Sequence, residues 1–311
     1  MLSQTFTFKS GEGTEIFGYK WLPEQTTKVK GLVQIAHGMA ETGARYERVA
    51  EKLTANGYIV YIHDHRGHGK TAQTLDKLGI LAETKGFKWL VEDLHQLSGM
   101  ISKDYPELPL FLLGHSMGSF VTQKYIMLYG KALKGAILSG SCGKQGILLS
   151  AALYLAKAEV KKHGRKARSE KLTKVTLGNY NKAFKPKRTD FDWLSRDAAE
   201  VDKYIQDPFC GTVFSAGFFE DFLGGLKDIE DKRNLALVPI ELPIYIFSGE
   251  KDPVGKNGRG VIKLVKTYQK MGLRDVSYKL YQDGRHEMFN EVNRDEVIGD
   301  VIAWLDRHID G

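Results

Sequence analysis

Gly114-His115-Ser116-Met117-Gly118 is the only G-x-S-x-G in the chain, and it stands where the apolar run Pro-Leu-Phe-Leu-Leu-Gly gives way to a helical pattern. Glycines on both flanks let a strand and a helix pack closely around a sharp turn, which pushes the serine hydroxyl out from the backbone. A serine alone is a weak nucleophile. It needs a base within hydrogen-bond reach, and the base needs a carboxylate that holds it in one tautomer. Such a set performs acyl transfer, so the chain should supply an acid and a histidine after later strands.

No Asp or Glu occurs from Lys134 to Ala158, so the acid cannot follow the strand ending at Ser139. The next apolar run ends in Ser248-Gly249-Glu250-Lys251-Asp252-Pro253, a turn that projects a carboxylate just past the sheet edge; its place in that turn favours Asp252 over Glu250. Downstream, the histidines are His286 and His308. His308 lies three residues from the C-terminus beside helix-face residues, whereas His286 follows a strand in the glycine turn Asp283-Gly284-Arg285-His286 and is the expected base. A developing oxyanion also needs two backbone donors, one from the residue after the nucleophile and one from the loop after the first parallel strand. Met117 and Met39 occupy those positions, and their side chains have no bearing on N–H donation.

The elements that must position these residues are legible as alternation. Residues 5 to 21 alternate apolar and polar around Ser10-Gly11-Glu12-Gly13 and predict an opening β-hairpin at a sheet edge. Runs rich in aliphatic and β-branched residues follow at Gly31 to Ala36, Tyr58 to His63, Leu110 to Gly114, Gly135 to Ser139, Pro243 to Ser248 and Val276 to Tyr281. They suit strands buried on both faces of a parallel sheet. Helical spacing at three and four residues runs through Phe87, Leu90, Val91, Leu94, Leu97, Met100 and Ile101, with further helices expected near 44–55, 116–129 and 289–309. The alternation predicts an α/β class with a mostly parallel, doubly wound sheet and sites at the C-terminal strand ends.

About a hundred residues separate Ser139 from Pro243, far more than a crossover needs. They hold an apolar helical pattern at Ile147, Leu148, Ala151, Ala152, Leu155 and Ala158, then a basic block, then the aromatic-rich stretch Phe209 to Phe222. The expected organisation is a core at 1–142, an inserted, mainly helical cap at 143–240, and the rest of the core at 241–311. Leu148, Leu149, Leu153 and Leu155 either bury one another or line an acyl tunnel.

Of the net charge of +7, residues 157–188 supply twelve Lys or Arg against Glu159 and Glu170, so that block carries +10 and the remainder about −3. A block of this kind is first a solvated face and second a peripheral contact for an anionic membrane. Tyr180, Phe184, Phe191 and Trp193 nearby bring no nucleic-acid motif with them, and no nucleic-acid partner is expected. No window approaches the ~18 uncharged apolar residues of a membrane span, and no leader precedes the first strand, so a soluble, cytoplasmic protein is expected. The two cysteines, Cys142 and Cys210, show no CxxC spacing and are expected as reduced thiols. His63, His65 and His68 form H-x-H-x-x-H, but Gly67 stands where a metallo-hydrolase would place an acid. They are expected as a hydrogen-bonded loop beneath the active site, without metal, and no cofactor is called for.

Five motifs, H-G-M-A-E-T-G-A-R-Y from His37, H-D-H-R-G-H-G-K-T from His63, G-H-S-M-G, G-E-K-D-P-V around Asp252 and D-G-R-H-E-M-F-N-E around His286, appear in this order. In them the chain resembles the monoacylglycerol lipase and lysophospholipase branch of the α/β-hydrolases, which is related to serine aminopeptidases. The resemblance implies an α/β-hydrolase fold, the triad Ser116, Asp252 and His286, and an oxyanion hole at Met39 and Met117. It is weakest over 143–240, where substrate choice resides. The expected activity is hydrolysis of a single-chain lipid ester, a monoacylglycerol or lysophospholipid, through an acyl-enzyme. The alternatives are a short-chain carboxylesterase, an aminopeptidase-like amidase marked by an acidic anchor for the amino group, and a non-catalytic lipid or anionic-surface binder marked by a lost triad member.

Overall fold

The computed structural model describes residues 1–24 and 26–309. The chain opens with a hairpin of β1 (Leu2–Lys9) and β2 (Glu15–Leu22), continues through β3 (Gly31–Ala36), α1 (Glu47–Ala55), β4 (Tyr58–His63), α2 (Gly86–Asp104), β5 (Leu110–His115), α3 (Met117–Tyr129) and β6 (Gly135–Ser139). It then leaves the sheet for α4 (Ile147–His163), α5 (Glu170–Thr176), α6 (Ala198–Gln206), α7 (Ala216–Ile229) and α8 (Lys232–Leu235). It returns as β7 (Ile244–Gly249), α9 (Arg259–Lys270), β8 (Val276–Tyr281) and α10 (Arg294–Arg307).

The eight strands form one sheet in the order β1-β2-β4-β3-β5-β6-β7-β8. β1 pairs antiparallel with β2, and β2 with β4; every other pairing is parallel. β3 to β7 are buried along their whole length, as the unbroken apolar runs require. Alternation sends neighbouring side chains to opposite faces. Leu32, Leu112 and Leu138 pack with α2, α3 and α9, whereas Val33, Leu113 and Ile137 pack with α1 and α10.

The six predicted strand runs all lie on observed strands, and the hairpin occupies the sheet edge. The last helix is shorter than the expected 289–309: Met288–Asn290 form a separate 3-10 turn, and Glu291 is used as a buried acceptor for loop amides. No described helix is long and apolar enough to cross a membrane.

Candidate active site

Ser116 lies between β5 and α3 with φ 51° and ψ −117°, a left-handed conformation that non-glycine residues adopt only when the surroundings impose it. The imposition is visible. Ser116 N donates to Ser139 O at 2.9 Å, tying the turn to β6, and Ser116 O accepts from Ser119 N and Ser119 Oγ. At Gly118 a Cβ would stand 2.0 Å from Ala36 O, so only glycine lets α3 start so close to the end of β3.

Asp252 and His286 are brought together by the ends of β7 and β8. Glu250 N donates to Tyr281 O and Lys251 N to Gly284 O, and a Cβ at Gly249 would fall 2.1 Å from the Gly284 carbonyl carbon. Through this close approach Asp252 Oδ1 comes to 2.9 Å from His286 Nδ1, with both side chains buried. Asp252 also accepts from Ser248 Oγ at 2.7 Å and Val254 N at 2.9 Å. Burial alone would raise the Asp252 pKa, but the charge and hydrogen bond of His286 and the bonds from Ser248 and Val254 hold it below the ordinary carboxylate range. Burial alone would lower His286; the charge and bond of Asp252, aided by Glu287 and Glu41, turn the net shift upward. His308 is remote from this pair and binds Trp304 O and Asp275.

Two rings brace His286. His115 lies 4.8 Å away and Trp193 4.9 Å away, centroid to centroid. Sequence reasoning assigned neither a role. It also missed a buried ionic group: Arg45 binds Glu41 Oε2 at 2.6 Å and both carboxylate oxygens of Glu287 at 2.6 and 2.8 Å. Glu41 lies in the loop that carries Met39, and Glu287 follows His286, so one guanidinium ties the two loops together. The i,i+4 spacing of Glu41 and Arg45 and the acid next to the histidine were the available signals.

Ser116, His286, Met39 and Met117 line a cavity of about 460 Å³ whose lining also includes half-buried Asn181 and the exposed Glu170, Lys174 and Asp190, which mark a polar end open to solvent. A second cavity of about 480 Å³ lies between α4, α5 and α7, lined by Leu148, Leu149, Leu155, Phe219, Leu223 and Leu226. The two share Met39, Phe120, Leu177, Tyr180, Phe222 and Val254 as walls, so the apolar chamber adjoins the cavity that holds the serine. Leu153 packs on the core instead.

His63, His65 and His68 are buried, and burial pushes His63 and His68 down to about 3. The expected hydrogen-bonded loop is present in its backbone, but the ring nitrogens of His63 and His65 have no hydrogen-bond partner among the described residues; the rings pack on one another at 4.9 Å. No three His, Cys, Asp or Glu side chains gather as metal ligands among the described residues. Cys142 and Cys210 are free thiols.

The basic block is less uniform than its composition. Arg165 pairs with Glu220 and Asp221, Lys166 with Glu83, Lys171 with Glu159, Lys187 with Asp190, and Arg188 with Asp202. Arg168 is spent on the carbonyls of Val213 and Asp76. Lys157, Lys161 and Lys162 are exposed at the C-terminal half of α4 and have no ion-pair partner among the described residues.

A mostly parallel sheet of this order, with a strained serine turn after β5 and an acid and histidine after β7 and β8, defines an α/β-hydrolase. Residues 27–293 match the family described as "Serine aminopeptidase, S33", and the chain belongs to that family. It is 31% identical over 306 residues to a monoacylglycerol lipase of Mycolicibacterium smegmatis, covering 97% of both chains. It is 28% identical over 303 residues to the monoglyceride lipase of Rattus norvegicus, covering 96% of this chain and 89% of that one. Among solved structures, a thermostable carboxyl esterase from Bacillus coagulans in complex with glycerol superposes with a TM-score of 0.91 at 30% identity, covering 99% of each chain.

Proposed function

We propose that the chain is a carboxylic ester hydrolase acting on single-chain lipid esters, with Ser116 as nucleophile, His286 as general base and Asp252 as the acid that orients it. Ser116 Oγ adds to the ester carbonyl carbon as His286 Nε2 takes its proton, and the carbonyl oxygen becomes an oxyanion held by the N–H groups of Met39 and Met117. The C–O bond to the alcohol then breaks, and the alcohol leaves with the proton from His286. Water, deprotonated by His286, releases the fatty acid by the reverse sequence.

The observation that carries the substrate class is the apolar chamber between α4, α5 and α7, which adjoins the cavity of the serine and is lined mainly by aliphatic and aromatic side chains, with Gln145, Thr176, Asn179 and Lys256 the polar exceptions. It suits one acyl chain, while the polar end of the first cavity suits the alcohol. Relatives named as monoacylglycerol lipases along nearly the full length support the same reading. Glu170 and Asp190 at that polar end favour a second reading, an amidase that anchors an amino group, although Lys174 in the same lining and Lys187 on Asp190 offset their charge. A panel of monoacylglycerols, lysophospholipids and aminoacyl amides offered to purified protein separates the two. The proposal expects acyl-ester turnover with a strong chain-length dependence, and preferential cleavage of amides would overturn it.

Contact with an anionic membrane belongs to the same proposal. Ile147, Tyr154, Lys161 and Lys162 point to solvent from α4, so its outer face joins apolar and cationic groups beside the chamber.

A further inference from the structure

Four buried histidines, His37, His63, His65 and His68, crowd beneath the loop that follows β3, and the reaction described above uses none of them. Of the four, only His37 is bonded at both ring nitrogens. Its Nε2 lies 2.9 Å from the backbone N of His65. A backbone N–H can only donate, so Nε2 must be the acceptor and the ring proton sits on Nδ1. That Nδ1 lies 2.7 Å from the carbonyl oxygen of Gly38. Burial pushes the ring down to about 3, so it stays neutral and keeps one tautomer throughout the neutral range.

The carbonyl that His37 holds belongs to the same peptide unit as the N–H of Met39. In a planar trans peptide the C=O and N–H point in opposite directions, so fixing one aims the other. The preceding amide is fixed as well, because Gly38 N donates to Glu41 Oε1 at 2.5 Å. The loop passes directly over the nucleophile: a Cβ at Gly38 would lie 3.3 Å from Ser116 Cβ.

We infer that His37 is a positioning residue for the oxyanion hole, its Nδ1–H tautomer, imposed by the His65 amide, holding the Gly38–Met39 peptide so that the Met39 N–H faces the oxygen of the acyl carbonyl. The inference rests on the reading of Met39 as an oxyanion donor. It gives the H-D-H-R-G-H-G loop a task that metal binding does not supply: the His65 amide is the fixed point from which the orientation propagates. The rings of His63, His65 and His68 then serve as neutral packing around that anchor.

The test compares His37→Asn, which keeps an N–H donor near the δ position, with His37→Gln and His37→Leu, which remove it. Each variant is assayed on a soluble short-chain 4-nitrophenyl ester and with a trifluoromethyl ketone, whose hemiketal with serine places an oxyanion in the hole. In His37→Leu and His37→Gln, kcat should fall about 10- to 100-fold and inhibitor affinity by a similar factor, with KM within about twofold and the acid limb of the pH–rate profile unmoved. His37→Asn should recover most of both losses. Parent-like kcat in a folded His37→Leu would overturn the inference. So would equal impairment of the Asn and Gln variants at equal thermal stability, which would reduce His37 to a space filler; this pair carries the test if the Leu variant fails to fold. Ser116→Ala is the separate control: turnover retained there sinks the assignment of the site itself.

Discussion

The segment between β6 and β7 closes over the site with two halves held to different neighbours. Residues 191–214 are bonded into the core: Glu287 N donates to Leu194 O at 2.7 Å, His286 N to Trp193 O, Ser195 Oγ to Asn290 O, and Gly211 N to Ala40 O. Residues 147–176 are held chiefly by apolar packing of α4 and α5 and by Arg165 between Glu220 and Asp221; their backbone bonds, Ser169 N to Phe214 O, Ala216 N to Ala167 O and Gly217 N to Arg165 O, tie residues 165–169 to the start of α7 and not to the loops of the triad. α4 turns Ile147 and Tyr154 outward at 88% and 77% exposure. Hydrogen bonds to a backbone fix angles as well as distances, whereas apolar packing is non-directional. The first set therefore bears on where His286 points, and the second on the walls of the apolar chamber and the exposed face of α4.

The largest effect should come from the core, against which both halves are measured. Asp252→Asn should lower kcat by about 10⁴-fold with KM little changed, because an amide leaves His286 in the wrong tautomer. Glu250→Gln, at an exposed carboxylate two residues earlier in the same loop, should stay within a few-fold. Steady-state kinetics with a soluble ester and circular dichroism to confirm folding decide it; the reverse ranking would move the acid to Glu250.

The bonded half is tested at Glu291, a fully buried carboxylate that accepts from the backbone N of Arg196, Arg285 and Val292 and from Arg196 Nε. Glu291→Ala leaves those donors without their partner and should cost about 3 kcal/mol of stability, read by denaturant unfolding. It should also lower kcat on a short ester about tenfold with KM retained. Lost stability with unchanged kcat would break the claim that this half positions His286.

The packed half should respond in substrate handling alone. Changing Lys157, Lys161 and Lys162 to Gln should weaken binding to anionic vesicles at low salt by about fivefold per lysine, while short-ester turnover stays at the parent level. Arg165 and Arg168 are poor choices for this test, since their bonds hold the fold. Equal vesicle binding by parent and variant would make the outer face of α4 an ordinary solvated surface.

The smallest effect is a displaced titration. His286 must be neutral to act as base, and its raised pKa places the acid limb of kcat/KM above the pH of an ordinary imidazole. Glu287→Gln removes one of the charges that raise it, so the limb should move to lower pH. An unmoved or upward-shifted limb would contradict that electrostatic coupling.

These contrasts follow what the sequence could disclose. β3 to β7 were legible because burial on both faces writes an unbroken apolar run, and the Ser116 turn because its glycines are required by close packing. The bonded half left no such trace: Leu194, Trp193 and Ala40 contribute carbonyl oxygens, which every residue has. The Glu41–Arg45–Glu287 group joins segments over 240 residues apart, and its acids look like surface charges in one dimension. The basic block misled in the same way, because Glu83, Glu220, Asp221 and Asp202, which neutralise part of it, lie outside 157–188.

The central claim is that Ser116 carries the acyl group of a single-chain lipid ester. Rapid chemical quench of the protein with a long-chain monoacylglycerol, followed by peptide mass spectrometry, tests it directly. The account predicts the fatty acyl group on the peptide containing Ser116, absent in Ser116→Ala, and released on longer incubation. Acylation at another residue, or monoacylglycerol hydrolysis by Ser116→Ala at the parent rate, would contradict it.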